Sequence, residues 1–89
     1  MDLRDYRRQI DEVDTQLLSL FVRRMELTSE IAEYKKKNGL PVMDESREAE
    51  KREAIAARVP EEIRNEADDL YSLLFQLSRR YQTRLMEGK

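Results

Sequence analysis

From Asp2 to Asn38 the chain runs without a glycine or a proline, and this uninterrupted stretch limits the fold more than any other feature. Within it Ile10, Val13, Leu17, Leu20, Phe21, Leu27, Ile31 and Tyr34 recur at three- and four-residue intervals, the spacing that aligns one face of an α-helix. One long helix follows. At a rise of ~1.5 Å per residue it reaches on the order of 50 Å, well beyond the width of a globule made from 89 residues. One chain has too little material to cover such a stripe, so a second copy is the expected cover.

Asn38-Gly39 is a stop signal, with glycine suited to the left-handed position after a helix, and Pro41 forbids continuation. Asp44 is placed to cap a second, short helix through about Arg58. That helix is largely polar with a thin apolar edge (Ile55, Ala54, Ala57), which suits a lid lying on the others. Val59-Pro60-Glu61-Glu62 marks a break and a restart, with proline at the first helical position and two carboxylates near the positive end of the helix dipole. A third helix of medium length then runs to about Glu87, presenting Ile63, Ala67, Leu70, Leu73, Leu74, Leu77, Tyr81 and Leu85 as a core stripe. The expectation is an all-α chain of three helices, one long, one short and one medium, forming a single domain over residues 1–89.

Composition then narrows the chemistry. Seventeen Lys and Arg nearly balance 19 Asp and Glu, for a net charge of -2, so no global field draws the chain to nucleic acid or to an anionic membrane. An anion site would have to be built locally. No apolar stretch approaches spanning length and no signal-peptide core opens the chain, which points to a cytoplasmic location. Cysteine is absent, removing disulfides and thiolate nucleophiles. Histidine is absent too, and with it the commonest general base and metal ligand at neutral pH. Any catalysis must need neither, and neither metal nor cofactor is expected.

Some charges fall beside apolar positions. Arg24 and Lys35, eleven residues apart and so almost three turns, share a face with Thr28 and Ile31. Either their stems cover apolar surface while the heads reach water, or two cations look into one anion pocket. Ser78 and Gln82, one turn apart, border the stripe of the third helix beside Leu74, Phe75 and Leu85; taken alone, such residues usually lie at the surface or make a helix-helix hydrogen bond. Asp44-Glu45-Ser46-Arg47-Glu48 is explicable as a cap with first-turn acids, and Arg4, Arg7 and Arg8 as a solvated basic turn.

Taken together these positions resemble the all-helical (AroQ-class) chorismate mutases, over roughly Leu3 to Leu85. The resemblance rests on Arg7 followed by Ile10-Asp11-Glu12-Val13-Asp14 and Leu17-Leu18, then Arg23-Arg24-Met25-Glu26-Leu27 and Ile31-Ala32 leading to Lys35. Pro41-Val42-Met43-Asp44, Arg47-Glu48 and Ser78-Arg79-Arg80-Tyr81-Gln82 complete it. Each fragment is common, but their order and spacing are not. The resemblance implies an intertwined helical homodimer with two sites, and an intramolecular [3,3] rearrangement of chorismate to prephenate in phenylalanine and tyrosine biosynthesis.

For the residues, the resemblance implies that Arg7 and Arg24 bind the two substrate carboxylates and that Lys35 contacts a carboxylate and the ether oxygen, with Gln82 as its partner there. Glu48 would accept a hydrogen bond from the ring hydroxyl. Asp44 and Arg47 would organise the wall formed by the second helix, and Ser78 would help hold the ring carboxylate. Arg7 and Arg24 lie on the order of 25 Å apart along one straight helix, so a shared substrate requires that they come from different chains. Antiparallel first helices crossing near Thr15 and Gln16 would bring them together, twice, about a two-fold axis.

The rearrangement removes no proton, so the missing His and Cys cost nothing. Because Gln82 carries an amide, activity is expected to stay nearly flat from about pH 6 to 8. Two rivals predict different outcomes. An isochorismate-pyruvate lyase would make salicylate, although the intact Asp44, Arg47, Glu48 run favours the mutase. A non-catalytic helical dimer module, its buried charges fixing register alone, would show no turnover.

Overall fold

The computed structural model describes Met1–Gly88, and within those residues the secondary structure is entirely helical. Helix α1 spans Leu3–Asn38, α2 spans Glu45–Ala56, and α3 spans Arg64–Met86 behind a single 3-10 turn at Glu61–Ile63. The long helix is closed at both ends. Asp2 accepts from the Asp5 amide (3.0 Å) while the Asp5 carboxylate accepts from the Asp2 amide (3.1 Å), a reciprocal cap. At the far end Gly39 turns left-handed at φ 65, and the amides of Gly39 and Leu40 both donate to the carbonyl of Lys35. Lys35, Lys36 and Lys37 occupy the last turn, where cations favour the dipole.

Two boundaries differ from the sequence expectation. Helix α2 ends at Ala56 instead of Arg58, and the Arg64 side chain donates to the freed Ala56 carbonyl at 2.9 Å, so a residue beyond the loop satisfies the helix end. Pro60, expected as the first residue of the third helix, stands before the 3-10 turn; Ile63 at φ -118, ψ 15 separates that turn from α3. The restart signal was correct and the regular helix simply begins one turn later.

Helix α3 is the common partner, packing on both α1 and α2. Arg52 of α2 donates to Ser72 Oγ (2.6 Å) and lies 5.7 Å from the Phe75 ring centroid, fixing the otherwise polar α2 to α3. Few side chains are sealed by this arrangement: among the described residues the buried set is Thr28, Ala32, Phe75 and Gln82. Meanwhile Leu3, Tyr6, Ile10, Val13, Leu17, Leu18, Leu20 and Val22 are exposed along one end of α1. The chain measures 54 × 27 × 14 Å with a radius of gyration of 16.2 Å, against ~12 Å for a compact chain of this length. An apolar surface of that extent is the kind that marks an interaction site. No helix among the described residues is long and apolar enough to cross a membrane.

Candidate active site

Where α1, α2 and α3 meet, a cleft of about 580 Å³ opens, and each helix lines it with one stripe of the same spacing. Helix α1 contributes Arg24, Leu27, Thr28, Ile31 and Lys35; the start of α2 contributes Asp44, Arg47, Glu48 and Lys51; α3 contributes Phe75, Ser78, Arg79 and Gln82. Steps of three and four residues keep each set on one helical face. Val42, in the loop after α1, closes one side.

Polar groups cross the cleft floor in pairs. Arg24 Nη1 donates to Ser78 Oγ at 2.6 Å, joining α1 to α3. Thr28, 4% exposed, supports that junction: its hydroxyl donates to the Arg24 carbonyl (2.9 Å) and lies 3.5 Å from Ser78 Oγ. About two turns along α1 from Thr28, and one along α3 from Ser78, Lys35 Nζ donates both to the Val42 carbonyl and to Gln82 Oε1, each at 2.9 Å. An ammonium can only donate, so this contact fixes the orientation of the Gln82 amide. Its Nε2, in a side chain 6% exposed, has no protein acceptor among the described residues. Lys35 likewise keeps one of its three N–H groups. Two donors on adjacent helices are thus held ready at one point of the cleft.

The third pair spans α2 and α3. Arg79 Nη1 donates to both carboxylate oxygens of Glu48, at 2.5 and 2.6 Å. Asp44 caps α2 by accepting from the Arg47 amide at 3.0 Å, which positions Arg47 and Glu48 in the first turn. Among the described residues the lining carries five cationic side chains (Arg24, Lys35, Arg47, Lys51 and Arg79) against two carboxylates, Asp44 and Glu48. A chain of net charge -2 has concentrated positive charge in one concavity. Such a concavity complements a small anion.

Seven of the eight residues singled out from the sequence therefore meet in one cleft: Arg24, Lys35, Asp44, Arg47, Glu48, Ser78 and Gln82. Arg7 does not join them. It lies in a shallow, open concavity at the start of α1 with Arg4, Arg8 and Asp11, more than four turns from Arg24. The sequence reading assigned no role to Arg79 or Lys51. Their helical spacing was a usable signal, since 75, 78, 79 and 82 repeat the steps of 24, 27, 28 and 31.

Residues 6–83 match the family described as chorismate mutase type II. Among curated proteins the chain is 40% identical over 67 residues to a T-protein of Enterobacter agglomerans, covering 70% of this chain and 18% of that protein. It is 41% identical over 46 residues to a T-protein of Haemophilus influenzae, covering 52% and 12%. Over 46 residues it is 39% identical to a chorismate mutase of Methanocaldococcus jannaschii, covering 52% and 46%. The chain thus spans under a fifth of the T-proteins it matches and less than half of the archaeal relative. No solved structure gives a significant match.

Proposed function

The chain belongs to the chorismate mutase type II family, and from that premise we propose that its cleft converts chorismate to prephenate by an intramolecular [3,3] rearrangement. The observation that carries this is the Lys35–Gln82 pair, which leaves an ammonium N–H and an amide N–H uncommitted side by side in a cationic cleft. In the rearrangement the ether C–O bond breaks as a new C–C bond forms, and negative charge grows on the ether oxygen. Donors fixed before the reaction stabilise that charge without reorganising. Nothing in this step calls for a histidine, a thiolate or a metal.

The rest of the cleft would hold the substrate in its compact, reactive conformer. Arg24 offers a planar fork for one carboxylate, and Ser78, already bonded to it, lies where it can assist with the ring carboxylate. Glu48 accepts from the ring hydroxyl, while Asp44 and Arg47 shape the α2 wall.

The second carboxylate needs Arg7, which its own chain keeps out of the cleft. We propose an intertwined homodimer in which antiparallel α1 helices cross near Thr15 and Gln16 and each site receives the partner's Arg7. The exposed apolar run from Leu3 to Val22 supports this. We propose further that the chain takes part in aromatic amino acid biosynthesis in the cytoplasm, with chorismate as its small-molecule partner and neither nucleic acid nor membrane involved, a reading that family membership supports.

The test is the loss of chorismate absorbance with purified protein, beside Arg7→Ala and Arg24→Ala chains whose folding is checked by circular dichroism. Each variant alone should be inactive. Mixed and re-annealed in equal amounts, they should regain roughly a quarter of the parental activity, because half the dimers are mixed and each has one intact site. No recovery from folded, exchanging dimers would refute the shared site, and an inactive parent would refute the mutase. Salicylate formed from isochorismate would identify a lyase instead.

A further inference from the structure

Glu48 is the one carboxylate in the cleft lining whose oxygens are not used to build a helix end. Asp44, the other acid there, is committed through Oδ1 to the amide of Arg47. Glu48 is also the group that, on the function proposed above, faces the ring hydroxyl. A bare carboxylate at that position would accept from a hydroxyl, but it would attract an ammonium more strongly, because ion pairing adds to the hydrogen bond. The structure supplies a counter-charge: Arg79 donates from a single nitrogen to both Glu48 oxygens. With the Glu48 side chain 18% and the Arg79 side chain 32% exposed, the pair is partly shielded from water, so its charges are felt over short distances in the cleft.

We propose that Arg79 is a specificity-determining residue: by balancing the Glu48 carboxylate it makes the cleft accept a ring bearing a neutral hydroxyl and reject one bearing an ammonium at the same carbon. The inference rests on the mutase function and on Glu48 facing that substituent. Each carboxylate oxygen has two lone-pair directions, and Arg79 uses one on each, so Glu48 retains acceptor capacity for a hydroxyl. What it loses is net charge. An ammonium would meet an already neutralised pair, with Arg24, Lys35, Arg47 and Lys51 around the same cleft and only the Asp44 carboxylate to offset those four cations. A balanced carboxylate discriminates by charge where size cannot, since a hydroxyl and an amine are nearly isosteric.

The experiment measures kcat/KM for chorismate and for its analogue with an amine in place of the ring hydroxyl, protonated at neutral pH as primary alkyl amines are. The proteins are the full chain and its Arg79→Lys, Arg79→Gln and Arg79→Met variants, each checked for helicity and dimer formation. Arg79→Lys keeps the counter-charge and should keep the preference for the hydroxyl compound. Arg79→Gln keeps a hydrogen-bond donor without the charge, and with Arg79→Met it should reduce that preference by about tenfold or more. A parallel fall on both substrates, leaving the preference unchanged, would mean that Arg79 only braces α2 against α3 and would overturn the inference while leaving the mutase intact. If the Met variant fails to fold, the Gln variant carries the test by itself. A parent chain that turns over neither compound overturns the inference together with the function beneath it, an outcome distinct from an active enzyme with unaltered preference.

Discussion

The two halves of α1 are built from the same kind of sequence and reach opposite ends. From Leu3 to Val22 the apolar stripe is bare, with Val13 61%, Leu17 54% and Leu20 67% exposed. From Arg24 to Asn38 the same helix closes on α3, buries Thr28 and Ala32, and turns Arg24 and Lys35 into the cleft. The helical period does not distinguish them. What differs is supply: among the described residues α3 is the main packing partner of α1, and α3 has 23 residues against 36. The covered half therefore brings its polar residues together within one chain, and the bare half, which carries Arg7, is where the proposed second chain would supply what is missing.

If that division is correct, damage to the two halves should differ in kind. The largest effect belongs to the covered half. Lys35→Ala removes the donor shared by Val42, Gln82 and, on the function proposed, the ether oxygen, and kcat should fall about a thousandfold, the scale for losing one preorganised oxyanion donor. Dimer affinity should be unchanged. A loss confined to KM would instead make Lys35 a simple carboxylate anchor.

Gln82→Glu is the next test. Lys35 holds Oε1, and an ionised carboxylate has no N–H left for the ether oxygen, so activity at pH 7.5 should drop roughly a hundredfold. It should climb again as the pH is lowered toward the ordinary carboxyl range near 4, where protonation restores a donor. The parent, with a non-titrating amide, should stay nearly flat from about pH 6 to 8. An equally flat profile in the variant would separate Gln82 from the reacting oxygen.

In the bare half, Leu17→Asp should act on association. Placing a carboxylate where the partner's apolar stripe must pack should weaken self-association by roughly fiftyfold, read by sedimentation. Activity should recover when the variant is concentrated enough to pair, since no group of the cleft has been touched. A variant that dimerises normally would show that the copies meet on some other face.

The same division explains what the sequence could and could not say. Helix α1 was legible end to end because Asp2 and Gly39 are unambiguous punctuation and nothing between them breaks the period. Arg24, Lys35, Ser78 and Gln82 were visible as polar residues on apolar faces, although periodicity alone could not decide between a cleft and a solvated edge. That decision required knowing that α1 and α3 face each other, as the Arg24–Ser78 and Lys35–Gln82 contacts do. The role of Arg79 was hidden for a similar reason. Its partner is 31 residues away on another helix, and an arginine beside Ser78 reads as a surface charge until α2 is laid over α3. The start of α3 was misplaced by one turn because Pro60 is a helix-start signal for the turn it opens, whereas no glycine or proline in the sequence marks the non-helical backbone of Ile63 that follows.

The smallest effect compares the two ends of α1 directly. Asp2→Ala removes the N-terminal cap and Gly39→Ala forces a side chain into the left-handed region at φ 65; each should cost about 1 kcal/mol of stability. A Cβ on Gly39 would meet nothing within 4 Å, so its cost is backbone strain and not a clash. Yet the amides of Gly39 and Leu40 hold the Lys35 carbonyl, and the N-terminal cap holds nothing in its own chain's cleft. Matched for thermal stability, Gly39→Ala should therefore lower kcat by roughly two- to threefold through a displaced Lys35, since misplacement near 1 Å is costly. Asp2→Ala should leave kcat unchanged once the dimer is saturated. Equal kinetic effects from the two ends would mean that Lys35 is positioned by its side-chain partners Val42 and Gln82 alone, and that the helix end behind it is free to move.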